Sequence, residues 1–256
     1  MRIDLNADLG ESFGNYNIGV DERVIEHISS ANIACGFHAS DPLVMQKTVE
    51  AAKTAGVSVG AHPGFPDLVG FGRRNMNVTP KELKAMVMYQ IGALSAFCKS
   101  QGIALQHVKP HGAMYNMAAK DEALAIAIAE AIKDVDDSLI LLGLAGSKLI
   151  EAAEQVGISA ANEVFADRAY MRDGSLVPRT MEGAVIHDES LIVDRIIKMI
   201  ESGKVKSIDG QEVSVRADSI CLHGDNEKAA LFAEKLKKEL IKSGIDIVPL
   251  AEVIKK

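Results

Sequence analysis

Residues 31–42 read "ANIACGFHASDP", an apolar run that ends in a histidine, two small residues and an Asp-Pro. The run has the make-up of a buried strand. Asp-Pro is a helix start, with a capping acid before a proline in the first turn. A histidine therefore stands where a strand stops and a helix begins. The arrangement returns in "VGAHPG" (59–64), "HVKPHG" (107–112) and "CLHGDN" (221–226), and these four segments hold five of the seven histidines.

Strand candidates run through the chain at Ile3–Asp8, Ala31–Cys35, Val57–Ala61, Ala104–Lys109, Leu139–Leu144, Glu163–Ala166, Ser219–His223 and Asp246–Val248. Segments of helical period lie between them. The clearest begins "TPKE", with Thr79 as N-cap, Pro80 in the first turn and Glu82 closing a capping box. Leu83, Val87, Ile91, Leu94 and Cys98 form its apolar stripe. Asp41-Pro42 starts a second helix with Met45, Val49 and Ala52 on one face. Asp225 caps a third, with Ala229, Phe232, Leu236 and Leu240 inward and Gly244 as its stop. Repeated β-α units imply a parallel sheet. The fold class predicted is α/β: one domain over residues 1–256, an irregular (β/α) barrel of seven or eight mostly parallel strands. An open doubly wound sheet is the alternative. The alternation breaks between Arg172 and Ala217, where a loop, a helix and a small hairpin around Asp209-Gly210 read as an insertion suited to a lid.

Composition narrows the function. Hydrophobic residues are 48%, charged residues 25% and the net charge is −7, which argues against a nucleic-acid or anionic-membrane surface. "MRIDLNADLG" does not read as a signal peptide, and "LILLGLAG" (139–146) is too short to span a bilayer. Cys35, Cys98 and Cys221 form no CxxC pair, so reduced thiols and a cytoplasmic location are expected. No P-loop, GxGxxG or HExxH motif is present, and "GLAGSK" (143–148) reads as a strand-to-helix turn.

Strand side chains alternate faces. With Ile3, Leu5 and Ala7 against the helices, Asp4, Asn6 and Asp8 point into the barrel. The same parity sends Asn32, Gly36 and His38 inward, then Gly60 and His62, His107 and Lys109, Glu163 and Asp167, and Cys221 and His223. Most of these polar residues fall at C-terminal strand ends, where (β/α) barrels carry their chemistry. Gly36 and Gly60 read as leaving space beneath His38 and His62. His107 lies deeper than Lys109 and reads as structural, and His27 and His187 as surface or packing residues. "GFGRR" (70–74) is either a turn with a solvated charge pair or an anion clamp through Arg73 and Arg74.

Six segments, in order, resemble the LamB/YcsF family: "DLNADLGESFG" (4–14), "ANIACGFHASDP", "GAHPGFPDLVGFGRR" (60–74), "VKPHGAMYN" (108–116), "EVFADRAYMRDGSLVPR" (163–179) and "CLHGDN". That family includes the A subunit of the ATP-dependent bacterial 5-oxoprolinase. The resemblance implies an irregular barrel akin to that of polysaccharide deacetylases. It also implies hydrolysis of 5-oxo-L-proline to L-glutamate, coupled to ATP hydrolysis, with two partner subunits, B and C. ATP with its Mg²⁺ is then the expected cofactor, with no tightly bound transition metal.

For such chemistry the residues suggest Asp8 or Glu11 as base, with His62 and His111 as acid-base or orienting groups. Lys109, Arg73 and Arg74 become anion binders. Asn6, His38, Asp167, Arg168, His223 and Asp225 complete the expected substrate- and phosphate-binding set. Two alternatives stay open. One is a metal-dependent deacylase with Asp8, His38 and His62 as ligands. The other is a subunit that binds substrate without catalysis.

Overall fold

The computed structural model describes residues 1–178, 180–186, 188–222 and 227–255, with side chains except at 189, 190 and 227–229. Among these residues, ten strands and nine α-helices follow one another as β1 (Arg2–Leu9), α1 (Asp21–Val24), β2 (Ser30–Ala34), α2 (Pro42–Ala55), β3 (Ser58–His62), α3 (Pro80–Ser100), β4 (Leu105–Val108), α4 (Gly112–Ala118), α5 (Glu122–Val135), β5 (Ile140–Leu144), α6 (Lys148–Val156), β6 (Ala160–Phe165), α7 (Glu189–Ser202), β7 (Lys204–Lys206), β8 (Glu212–Ser214), β9 (Ser219–Leu222), α8 (Glu227–Lys242), β10 (Asp246–Ile247) and α9 (Leu250–Ile254).

Seven parallel strands close a ring in the order β1-β2-β3-β4-β5-β6-β9, with β9 pairing back onto β1. The eighth expected strand is not in the ring. β9 pairs with β1 from Asp4 to Ala7, and β10 meets β1 only at Arg2 and Ile3, below that seam. β3 and β4 shift register between Val59 and Gly60, which leaves Gln106 as an extra residue on β4. The bulge precedes His107, so His107 and Lys109 keep a common face.

The helix starts follow from local chemistry. Thr79 and Glu82 form the capping box, and Asp41 accepts from the backbone N–H groups of Leu43 and Val44 ahead of Pro42. The stripes Leu83–Cys98 and Met45–Ala52 pack on the outer face of the ring, in one core with Ile3, Leu5 and Ala7. In α8, Leu236 and Leu240 are buried and Phe232 packs against the core. Asp225, His187 and the Ala229 side chain lie outside the described residues. No helix among the described residues is long and apolar enough to cross a membrane.

The segment 172–217 holds more than an insertion. Ile192, Val193, Ile196 and Met199 of α7 belong to the main core, so α7 is the crossover helix from β6 to β9. What is added is the bridged loop before it, and the antiparallel β7-β8 hairpin after it.

The lower end of the barrel is polar too. Asp4 is fully buried and accepts from Ser29 Oγ at 2.7 Å, Ser30 Oγ at 2.6 Å and Ser219 Oγ. Burial pushes its pKa up from 3.8 to about 6, with the three hydroxyls working against that rise. The folded state therefore prefers protonated Asp4. Its contribution is fully present below pH 3.8 and is lost as pH rises through about 6. The shift amounts to about 3 kcal/mol. Asp4→Asn is expected to flatten the fall in urea stability between pH 4 and 7; an unchanged pH slope sinks the assignment.

Candidate active site

Six of the seven ring strands carry polar side chains, β5 being wholly apolar, and those that face the barrel axis stack in layers. The lowest layer above Asp4 is a ladder of amides. Asn6 Nδ2 donates to Ser219 Oγ at 2.8 Å, and Asn32 Nδ2 donates to Asn6 Oδ1 at 2.7 Å. His107 Nε2 donates to Asn32 Oδ1 at 2.7 Å. Gly60 makes room for that ring, because a Cβ there would lie 2.1 Å from His107 Nε2. The space at Gly60 thus serves His107 rather than His62. His38 is accommodated by Gly64 and Gly72, where an added Cβ would come within 2.5 and 2.7 Å of it, and Gly36 meets nothing.

Lys109 forms the next layer. Its Nζ lies 2.9 Å from Asp8 Oδ1, 2.8 Å from Glu163 Oε1, 3.2 Å from Asn6 Oδ1 and 3.3 Å from Cys221 Sγ. Tyr115 OH donates to Glu163 Oε2 at 2.7 Å. Burial alone would lower the Lys109 pKa, but Asp8, Cys221 and Glu163 outweigh it and hold the ammonium well above its ordinary value. Burial likewise works to raise Asp8, yet its contacts with His62 and Lys109 keep its carboxyl well below the usual range. Lys109 is thus the counter-ion of two carboxylates.

The top layer is a histidine cluster. His62 Nε2 stands 3.3 Å from Asp8 Oδ2 and 2.9 Å from His111 Nδ1. His62 Nδ1 donates to the Lys109 carbonyl at 2.7 Å, and His111 Nε2 to the Phe71 carbonyl at 2.8 Å. Phe71 takes φ 53° to aim that carbonyl, a rare conformation for a bulky residue. The His38 ring stacks on His111 with centroids 3.7 Å apart. Glu11 Oε1 is 3.4 Å from His38 Nε2 and 3.5 Å from His111 Nδ1. Burial lowers the His111 pKa to about 3, helped by His62, and drives His38 well below 6.5, helped by His111 and His62. Both are neutral imidazoles at neutral pH.

A cavity of about 410 Å³ opens above these layers at the C-terminal ends of the strands. Asp8, Glu11, His62, Arg73, Lys109 and His111 line it. Arg168 lines the far wall, and its guanidinium donates to the Val177 carbonyl at 2.6 Å, which holds the added loop in place. Ser175–Pro178 of that loop complete the mouth.

Other expected site residues lie elsewhere. Asn6 and His38 are buried beneath and behind the cavity wall. Arg74 is turned away, with its guanidinium on Asp67, which also accepts from Gly70 N–H. The charge-pair reading of "GFGRR" therefore fits Arg74, while Arg73 stays at the mouth over the Phe71 ring at 5.0 Å. The Asp167 carboxylate is not part of the cavity wall, and the Asp167 carbonyl accepts from Ile186 N–H. His223 and Asp225 lie outside the described residues. The sequence-based site set omitted Glu163, although strand parity puts it inward and a lone acid in an apolar strand was the available signal. It also omitted Tyr115, which reaches Glu163 from a helix and carries no local mark.

Similarity to known proteins agrees with the layout. A protein of Clostridium beijerinckii named as the A subunit of 5-oxoprolinase is 63% identical over 252 residues, covering 98% of this chain and 99% of its own. The crystal structure of a lactam utilization protein from Thermus thermophilus has a TM-score of 0.92 at 47% identity, over 97% of this chain and 99% of its own. A T48 deacetylase solved with substrate has a TM-score of 0.51 at 13% identity, over 98% of this chain and 89% of its own, a likeness of fold alone. The sequence profile of the LamB/YcsF family matches residues 3–255, and the chain belongs to that family.

Proposed function

We propose that this chain is the subunit of a 5-oxoprolinase in which the lactam ring of 5-oxo-L-proline is opened at the expense of ATP. The observation that carries the reading is the cavity itself. It combines carboxylates and imidazoles over a buried ammonium, in a chain closely similar to proteins named as the A subunit of 5-oxoprolinase.

A lactam is an unactivated amide, so its carbonyl oxygen must first become a leaving group. In the proposed sequence that oxygen takes the γ-phosphoryl group of Mg²⁺-ATP and ADP departs. Water then adds to the activated carbon and gives up its proton. Protonation of the ring nitrogen breaks the C–N bond and leaves an acyl phosphate. A second water converts this to the glutamate carboxylate and phosphate.

Arg73 is the cation available to phosphate, since Lys109 already faces two carboxylates and no carboxylate partner of Arg73 is found among the described residues. Asp8 is too weakly basic to act alone, so the proton of water passes to the His62–Asp8 pair. The Ser175–Pro178 loop shields the activated carbon from stray water.

No phosphate-binding loop motif is present, so nucleotide binding and turnover are assigned to a complex with two further subunits. The test is glutamate release from oxoproline and Mg²⁺-ATP by this chain alone and with both partners. Little product alone and sustained turnover together are expected. No oxoproline-dependent glutamate from the full set overturns the activity, and an equal rate from the chain alone overturns the need for partners.

A further inference from the structure

The His62–His111 contact has a feature that the lactam reading does not use. Carbonyl oxygens only accept hydrogen bonds. His62 Nδ1 is committed to the Lys109 carbonyl and His111 Nε2 to the Phe71 carbonyl, so both of those nitrogens carry the ring proton. With one proton on each ring, His62 Nε2 and His111 Nδ1 are then both bare lone pairs, and they face each other at 2.9 Å. Beside them stand further acceptors: Asp8 Oδ2 at 3.3 Å from His62, and Glu11 Oε1 at 3.5 Å from His111. Such a gathering is repulsive unless a cation lies among the atoms.

We propose that Glu11, His62 and His111, with His38 as a fourth donor, form a binding site for a divalent transition metal of the zinc class. One donor atom from each of the four residues falls within a 4.8 Å cluster. Ligands held about 2.0–2.1 Å from a tetrahedral zinc lie roughly 3.4 Å from one another. The spacings of 2.9, 3.4 and 3.5 Å in the cluster bracket that value. The backbone carbonyls behind His62 and His111 are the outer partners that metal-bound imidazoles require, since they fix the tautomer and the ring direction. Imidazole nitrogen with one carboxylate oxygen selects zinc, iron, cobalt or nickel over Mg²⁺. The site is distinct from the Mg²⁺ that enters with ATP, and it runs against the sequence-based expectation of no bound transition metal. With His62 Nε2 engaged as a ligand, a water on the cation would be acidified by it, so that the weakly basic Asp8 carboxylate beside His62 would suffice to take its proton.

The inference rests on donor geometry, and its test is binding, so it stands or falls independently of lactam turnover. The full chain is dialysed against chelator and titrated with Co²⁺, whose visible absorption reports ligand number and type. Uptake of one Co²⁺ per chain, displaceable by Zn²⁺ and accompanied by a rise in melting temperature, is expected. His62→Ala and His111→Ala are expected to lower affinity more than about 100-fold, beyond the ~10–100-fold of a typical outer-shell change. Glu11→Gln keeps the shape of the side chain and is expected to alter the cobalt spectrum even if the histidine variants fold poorly. His27→Ala, at a half-buried histidine outside the barrel, is the control that leaves binding unchanged. No stoichiometric uptake by the folded parent chain overturns the proposal, because a shared proton then occupies the His62–His111 gap. Uptake that Glu11→Gln and a folded histidine variant leave unaltered overturns it as well.

Discussion

Lys109→Met is expected to cost about 3–5 kcal/mol of folding stability, the cost of breaking a buried ion pair from one side. The substitution leaves Asp8 and Glu163 facing each other's charge with no cation between them. Glu163 is fully buried and Lys109 nearly so, which leaves little solvent to screen the loss. For a chain of this length the melting temperature should fall by roughly 10 °C. Removing the orphaned charge as well, in Lys109→Met with Glu163→Gln, should restore part of that loss, because much of the penalty is the stranded carboxylate. Urea denaturation of the parent, the single variant and the double variant measures both effects. A single variant within about 1 kcal/mol of the parent would show that Lys109 is not the centre of the network.

The pH dependence of this layer has two opposite signs. The folded pKa of Asp8 is depressed, so its contribution is present above the ordinary carboxylate value and disappears as pH falls through the lower folded one. The folded pKa of Lys109 is raised, so its contribution is present below 10.5 and disappears as pH climbs through the higher folded value. The network is at full strength across the neutral range between them.

Asp8→Asn is expected to lower oxoproline-dependent turnover of the complete complex by about 10²–10⁴-fold, the usual worth of an acid-base group. The amide is isosteric and still offers its oxygen to Lys109 Nζ and Asn32 Nδ2, so the far-UV spectrum and a cooperative melt should survive. What is lost is the charge beside His62 Nε2. His62→Ala should abolish turnover to a similar degree. Ordinary activity in both variants would remove these residues from the mechanism and leave the cavity a binding site.

Strand and helix signals were legible because they are local. Alternation placed Asp8, His62, His107 and Lys109 on the inner face before any ring was closed. Thr79-Pro80 and Asp41-Pro42 announced their helices through chemistry confined to four or five consecutive residues. The place of α7 in the core, between the loop before it and the hairpin after it, is set by tertiary packing and carries no local mark in the chain. The count of strands in the ring was legible only as seven or eight, since pairing along β1 decides whether the last strand enters.

The sequence by itself determined a parallel (β/α) barrel, its capped helices and the polar lining of its interior, since those depend on period, parity and turn chemistry within short windows. Only the tertiary structure decided which lining residues meet. Arg73 and Arg74 are neighbours in sequence, yet one reaches the cavity mouth and the other is drawn away by Asp67. Lys109 takes Glu163 from a strand two places around the ring, a pairing set by strand register and not by any spacing along the chain. Glu11, His38, His62 and His111 come from four separate segments, and their donor atoms converge because ring closure brings the C-terminal ends of β1, β2, β3 and β4 side by side. Convergence of that kind is a property of the closed barrel, in which residues 100 positions apart, such as Glu11 and His111, share one cavity.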